Sequence, residues 1–71
     1  MLISEILNNC RYLREINYNE KLSSEDIEVI VNEIYPFVGF RREDVTTRDV
    51  ALFHKAMKEG RSEIDFENDE L

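Results

Sequence analysis

A small all-α fold, either a three-helix bundle or an orthogonal helical array with an acidic C-terminal tail, is what this chain of 71 residues predicts. Three observations lead there. Breakers are scarce: only Gly39, Gly60 and Pro36 interrupt a chain rich in Glu, Lys, Arg, Leu and Ile. Apolar residues recur at steps of three and four, the helical period. Two of the three periodic stretches also begin on residues that cap helices.

The first stretch carries Leu2, Ile3, Ile6, Leu7, Cys10, Leu13 and Ile16 on one side and Ser4, Asn8, Arg11 and Glu15 on the other. That pattern predicts one helix over 2–16, ended by the turn-forming Asn17-Tyr18-Asn19. Ser23 or Ser24 then offers an N-cap, and Glu25, Asp26 and Glu28 suit the positive end of a helix dipole. Ile27, Ile30, Val31 and Ile34 mark the buried face of this second helix, with Val29 pointing away. Pro36 is expected to stop it, because the residue before proline avoids helical geometry. The apolar linker Pro36-Phe37-Val38-Gly39-Phe40 is expected to fold back over the core as a lid. Thr46 or Thr47 caps the third helix, Asp49 lies in its first turn and Gly60 just past its end. Val50, Phe53 and Met57 form its buried row, with Ala56 alongside.

The chain divides into a single helical domain over 1–61 and a tail over 62–71 that can be flexible. At this length a single core supplies about 3–5 kcal/mol, so small proteins often lean on disulfides, metals or partners. Cys10 is the lone cysteine, which excludes an internal disulfide. With His54 it makes two of the roughly four ligands that a structural zinc needs. No metal or cofactor is expected. The longest strictly apolar run, Val50-Ala51-Leu52-Phe53, is far short of a membrane span, and residues 1–5 lack the basic flank of a signal peptide. A cytoplasmic protein with no membrane contact is therefore expected.

Catalysis finds little support. His54 lies at the edge of an apolar face with no acid in a productive register. Cys10 shares a face with Ile3, Ile6 and Leu13, where a thiol behaves as a small hydrophobe. A general acid needs a desolvated pocket, and so short a chain hardly encloses one. No catalytic residue is assigned, and an enzyme is not expected.

Two charged constellations remain. Arg48, Ala51, Lys55 and Lys58 fall at i, i+3, i+7 and i+10, which puts three cations on one stripe of the third helix, with Arg41 and Arg42 before it. Such a stripe suits phosphate contacts. Two features make nucleic acid an unlikely partner. The ten residues between Tyr35 and Thr46 are too many for a helix-turn-helix, and the chain carries a net charge of −7, which repels a polyanion. The second constellation is the tail. Residues 1–61 hold eleven acids and nine bases, whereas residues 62–71 hold five acids and no base. Ile64 and Phe66 stand two apart among those acids, as side chains do on one face of an extended strand.

An acidic segment with apolar anchors suits a basic, grooved protein partner: the anchors supply burial and the acids supply steering. The leading expectation is a non-enzymatic interaction module, an adaptor or inhibitor. Its partner-binding residues would be Glu63, Ile64, Asp65, Phe66 and Glu67 with Tyr35, Phe37 and Phe40. The alternative is a small nucleic-acid-binding regulator using Arg41, Arg42, Arg48, Lys55 and Lys58. The bland counterpart is a solubilising tail whose Phe66 tucks against its own bundle. Tyr12, Tyr18, Val29 and the other large apolar residues exceed what one small core can hold, which favours association, a homodimer included. In size, acidity and helical style the chain resembles the accessory proteins of phages and mobile elements, a resemblance that no motif carries.

Overall fold

The apolar steps of three and four from Ile3 onward do coil the chain, but in two pieces. In the computed structural model, which describes residues 1–8 and 10–71, α1 spans Ile3–Leu7 and a 3-10 helix follows at Arg11–Glu15. The single helix expected over 2–16 is therefore broken. Asn8 is a weak helix former, Cys10 leaves helical geometry at φ −130° and ψ 72°, and Asn9 lies outside the described residues. The spacing could not register the break, because a step of three returns to the same face in a 3-10 turn as well. Ile3, Ile6, Cys10 and Leu13 all point into the core.

Helix α2 spans Ser24–Val38 and starts on a reciprocal cap. The Ser23 Oγ accepts from the Asp26 N–H, and the Asp26 carboxylate accepts from the Ser23 N–H, each at 3.1 Å. Ile30 and Ile34 are fully buried, as expected. Ile27 is not: it is 40% exposed and borders an apolar groove with Leu22, Val50 and Ala51. Val29, expected outside, is half-buried against the core. The real buried stripe is rotated toward Val29 because α2 packs against both α3 and the 3-10 segment. Pro36 does not stop the helix either. One more turn forms, closed by the Gly39 N–H donating to the Tyr35 carbonyl at 2.9 Å. Partial burial of Phe37 and Val38 against the core offsets the hydrogen bond that the proline cannot make.

Helix α3 spans Thr47–Glu59. Thr46 caps it reciprocally with Asp49, as expected, at 2.9 and 3.1 Å. Gly60 ends it in the left-handed region at φ 68°, the C-terminal geometry that glycine adopts without penalty. Val50, Leu52, Phe53 and Ala56 are buried, and Met57 is half-buried.

Two further residues join the core. Tyr18, expected at the surface, is buried: its ring meets Phe53 edge-on at 5.9 Å and its hydroxyl donates to the Leu13 carbonyl at 2.7 Å. That bond meets the demand of a phenol taken out of water. Ile64 of the tail is 2% exposed. The chain's two ends meet there: the Ile3 N–H donates to the Ser62 carbonyl and the Ile64 N–H to the Met1 carbonyl, both at 2.9 Å, around an isolated antiparallel bridge between Leu2 and Glu63. A radius of gyration of 10.9 Å matches the roughly 11 Å expected of one domain of this length, so a single core serves the whole chain, residues 62–71 included. Among the described residues there is no strand, and no helix is long and apolar enough to cross a membrane.

Candidate interaction surface

The site begins at the C-terminal end of α2. After Gly39 the chain turns through a short 3-10 helix at Arg42–Asp44. Both the Phe40 and Arg41 N–H groups donate to the same Asp44 carboxylate oxygen at 3.0 Å. Those two donors, Phe40 first, hold the Asp44 carboxyl below the usual carboxylate range. Arg42 reaches back to Glu28 of α2 at 2.6 Å, an exposed ion pair that ties the turn to its helix. Held this way, Phe40 stands 96% exposed. It is not part of the lid expected from its apolar neighbourhood; only Phe37 and Val38 fold inward.

Gly39 is required for that turn. A Cβ at this position would lie 2.6 Å from the Asp44 Cβ. Gly39→Ala is therefore expected to push Asp44 off the two amides. Amide hydrogen exchange at Phe40 and Arg41 should speed up, with the core amides of α3 unchanged.

Phe37 and Val38 line an open groove of about 300 Å³ together with Met1 and the tail residues Ile64, Asp65, Phe66 and Glu67. Five of the residues expected from sequence to meet a partner thus share one surface feature. Tyr35 is half-buried and Phe40 projects beyond, both outside the groove's lining; Glu63 is exposed in the bridge to Leu2. Of these, Ile64 has its side chain committed to the protein's own core, whereas Phe66 is half-buried. The tail keeps its shape through Asp65. Its carboxylate accepts from the Glu67 and Asn68 N–H groups at 3.0 and 3.2 Å and from the Asn68 side-chain amide at 2.9 Å. These bonds, that of the Asn68 side chain foremost, hold the Asp65 carboxyl below its ordinary value. An aspartate followed two and three residues later by free amides is the local signature of such a turn, and it could have been read from Asp65-Phe66-Glu67-Asn68.

Arg48, Lys55 and Lys58 lie exposed on α3, opposite the buried Val50 and Phe53, and the tail contacts two of them. Arg48 donates one guanidinium N–H to the Phe66 carbonyl at 3.3 Å and another to the Asp69 carbonyl. Lys55 reaches the Glu70 carbonyl at 3.5 Å, and Arg61 pairs with the Asp69 carboxylate at 3.4 Å. The acidic tail therefore lies across the cations of α3. Lys58 is exposed on the same helix; Arg41 and Arg42 face Glu43 and Glu28 instead, away from the stripe. The sequence could not place the tail there, because Arg48 and Lys55 hold main-chain carbonyls, which carry no sequence signal.

The remaining titratable groups are structural. His54 donates through Nε2 to the Tyr18 carbonyl at 2.8 Å, since a carbonyl can only accept. The Cys10 thiol is buried and donates to the Glu33 carbonyl; burial first, then hydrogen bonding to the Glu33 side chain and the Glu33 charge, push it up to about 11, leaving it protonated and unreactive. Asp49 is buried in its cap. Among the described residues no group of three or more His, Cys, Asp or Glu side chains is arranged to hold a metal ion. Comparison of the chain with protein-family models, with curated proteins and with solved structures finds no match.

Proposed function

We propose that this protein is a non-enzymatic interaction module, an adaptor or inhibitor that grips a larger protein with a basic, grooved surface. The observation that carries the reading is Phe40. An exposed phenylalanine forfeits about 1.5–3 kcal/mol of burial, and Phe40 stands 96% exposed on a turn whose backbone is fixed by two hydrogen bonds to Asp44. Aromatic side chains placed like this are the usual anchors of protein interfaces. Phe37 and Phe66 line the groove together with Glu67, and Glu63 and Glu70 are also exposed on the tail. With a net charge of −7, the chain is steered toward a cationic partner and away from a second copy of itself. The nucleic-acid reading is weaker for the intact chain, because the tail already occupies Arg48 and Lys55.

The test is a pull-down from native lysate with the full chain and its Phe40→Ala variant, followed by salt elution. We expect Phe40→Ala to lose the partner while melting as the parent does, and the captured partner to elute as salt screens the acids. Equal capture by both chains, or elution indifferent to salt, would remove this reading.

A further inference from the structure

We infer that residues 65–71 act in cis as a strap over a phosphate-binding surface made by Arg48, Lys55 and Arg61, and that this surface takes the backbone of a nucleic acid when the strap is off. The inference does not depend on Phe40 or on the partner proposed for it.

Four observations support it. Each of the three cations is engaged by the strap, Arg48 and Lys55 through neutral carbonyls and Arg61 through the Asp69 carboxylate. A carbonyl is a poorer acceptor for a cation than an ionised oxygen, so phosphate would bind these groups more strongly than the strap does. The Arg48 fork spans two acceptors, which two oxygens of one phosphate can replace. Arg48 and Lys55 stand seven residues apart, about 10 Å along the helix axis, on the exposed face opposite Val50 and Phe53. The strap is also separable from the core. Its deepest anchor is Ile64, which precedes it; Phe66 is only half-buried against the core, and the polar contacts beyond Phe66 lie at the surface and are of the individually weak kind. An acidic peptide would be the other candidate occupant. The strap is itself such a peptide, and two of the three cations pass over its carboxylates for its carbonyls, so the surface does not select for carboxylate chains.

The strap's shape depends on Asp65 and Asp69. Beyond the bonds described above, the Asp69 carboxylate accepts from the Asp65 N–H, and the Asp69 N–H donates to the Asp65 carbonyl, both at 2.9 Å. Fluorescence anisotropy with a labelled DNA duplex at low salt tests the inference on the full chain. The parent should not bind. The double variant Asp65→Ala and Asp69→Ala should bind at least tenfold more tightly than Glu67→Gln with Glu70→Gln, which removes the same two charges but leaves the turn intact (about tenfold corresponds to gaining one strong charge-assisted contact). Its affinity should fall roughly 40-fold between about 50 and about 200 mM salt, as three phosphate contacts require. Adding Arg48→Ala and Lys55→Ala should erase the gain. A chain ending at Asn68 serves as a second released form, with circular dichroism confirming its helices. Equal affinity of the two double variants, or binding that survives loss of Arg48 and Lys55, overturns the inference. So does a released chain that captures a peptide of residues 65–71 but not the duplex.

Discussion

Replacing Ile64 with alanine is expected to unfold most of the protein at room temperature. Ile64 is among the largest fully enclosed side chains, in a core whose other members come from α1, α2, α3, the 3-10 segment and the adjoining residues Cys10 and Tyr18. Truncating a buried isoleucine to alanine costs about 2–5 kcal/mol. A single core in a chain this short supplies about 3–5 kcal/mol in all. The loss therefore consumes most or all of the stability. The location aggravates it, because the Ile64 N–H and the Ser62 carbonyl hold the first residues of the chain in place at 2.9 Å each. Thermal melts followed by circular dichroism should show a collapsed or absent transition for Ile64→Ala. Ile64→Val, which keeps most of the volume, should cost only about 0.5–1.5 kcal/mol. Phe66→Ala should be milder than Ile64→Ala despite the larger side chain, because Phe66 is only half-buried. An Ile64→Ala protein that melts like the parent would mean that the tail does not belong to the core. The same reasoning makes removal of residues 62–71 an unfolding change and not the trimming of an appendage.

What was legible in the sequence is what local chemistry decides. Ser23, Thr46 and Gly60 bound their helices because a hydroxyl, a carboxylate three residues on, or a missing Cβ acts on the backbone beside it. The inward faces of Ile3, Ile6, Cys10 and Leu13, of Ile30 and Ile34, and of Val50, Phe53 and Ala56 followed from periodicity. What escaped is decided between residues far apart. Tyr18 reads as a polar turn between two asparagines, and only Phe53, thirty-five positions later, makes it a core residue. Ile64 pairs with Met1 across nearly the whole chain through a bridge too short to leave an alternating pattern. Ile27 and Val29 exchanged places because a helix that touches two neighbours buries a stripe set by both. The candidate surface divided in the same way. Phe37 and Phe66 line one groove although nothing local ties them together, and the backbone at Phe40 and Arg41 is held by Asp44, a residue that nothing marked as an organiser.

Alkaline unfolding driven by Tyr18 and Cys10 is the second large effect expected. Both groups are acids that the fold holds in their neutral form. Burial, and secondarily the charge of Asp26, raises the Tyr18 phenol well above its ordinary value of 10.0. Burial likewise raises the Cys10 thiol from 9.0 to about 11. An unfolded chain loses these protons earlier than the folded one, so it binds fewer protons across the window between the two values, and stability falls as pH rises. The contribution is fully present below pH 9.0, begins to drain away above it for Cys10, and continues to do so above 10.0 as Tyr18 joins. Both residues serve the same region. Tyr18 pins the Leu13 carbonyl and receives His54 on its own carbonyl, while Cys10 reaches the Glu33 carbonyl of α2. Ionising either puts an unpaired charge in the seam between α2, α3 and the 3-10 segment. Denaturant midpoints measured at pH 7, 9.5 and 11 should fall steeply across the last interval. Cys10→Ala should flatten the early part of that fall. Tyr18→Phe should behave in two opposed ways: at pH 7 it loses about 1–3 kcal/mol by leaving the buried Leu13 carbonyl without its donor, yet at pH 11 its deficit against the parent should shrink, because it has no phenol to ionise. A deficit that stays constant with pH would show that the phenol titrates no differently in the folded and unfolded chains, and would leave the alkaline loss to other groups.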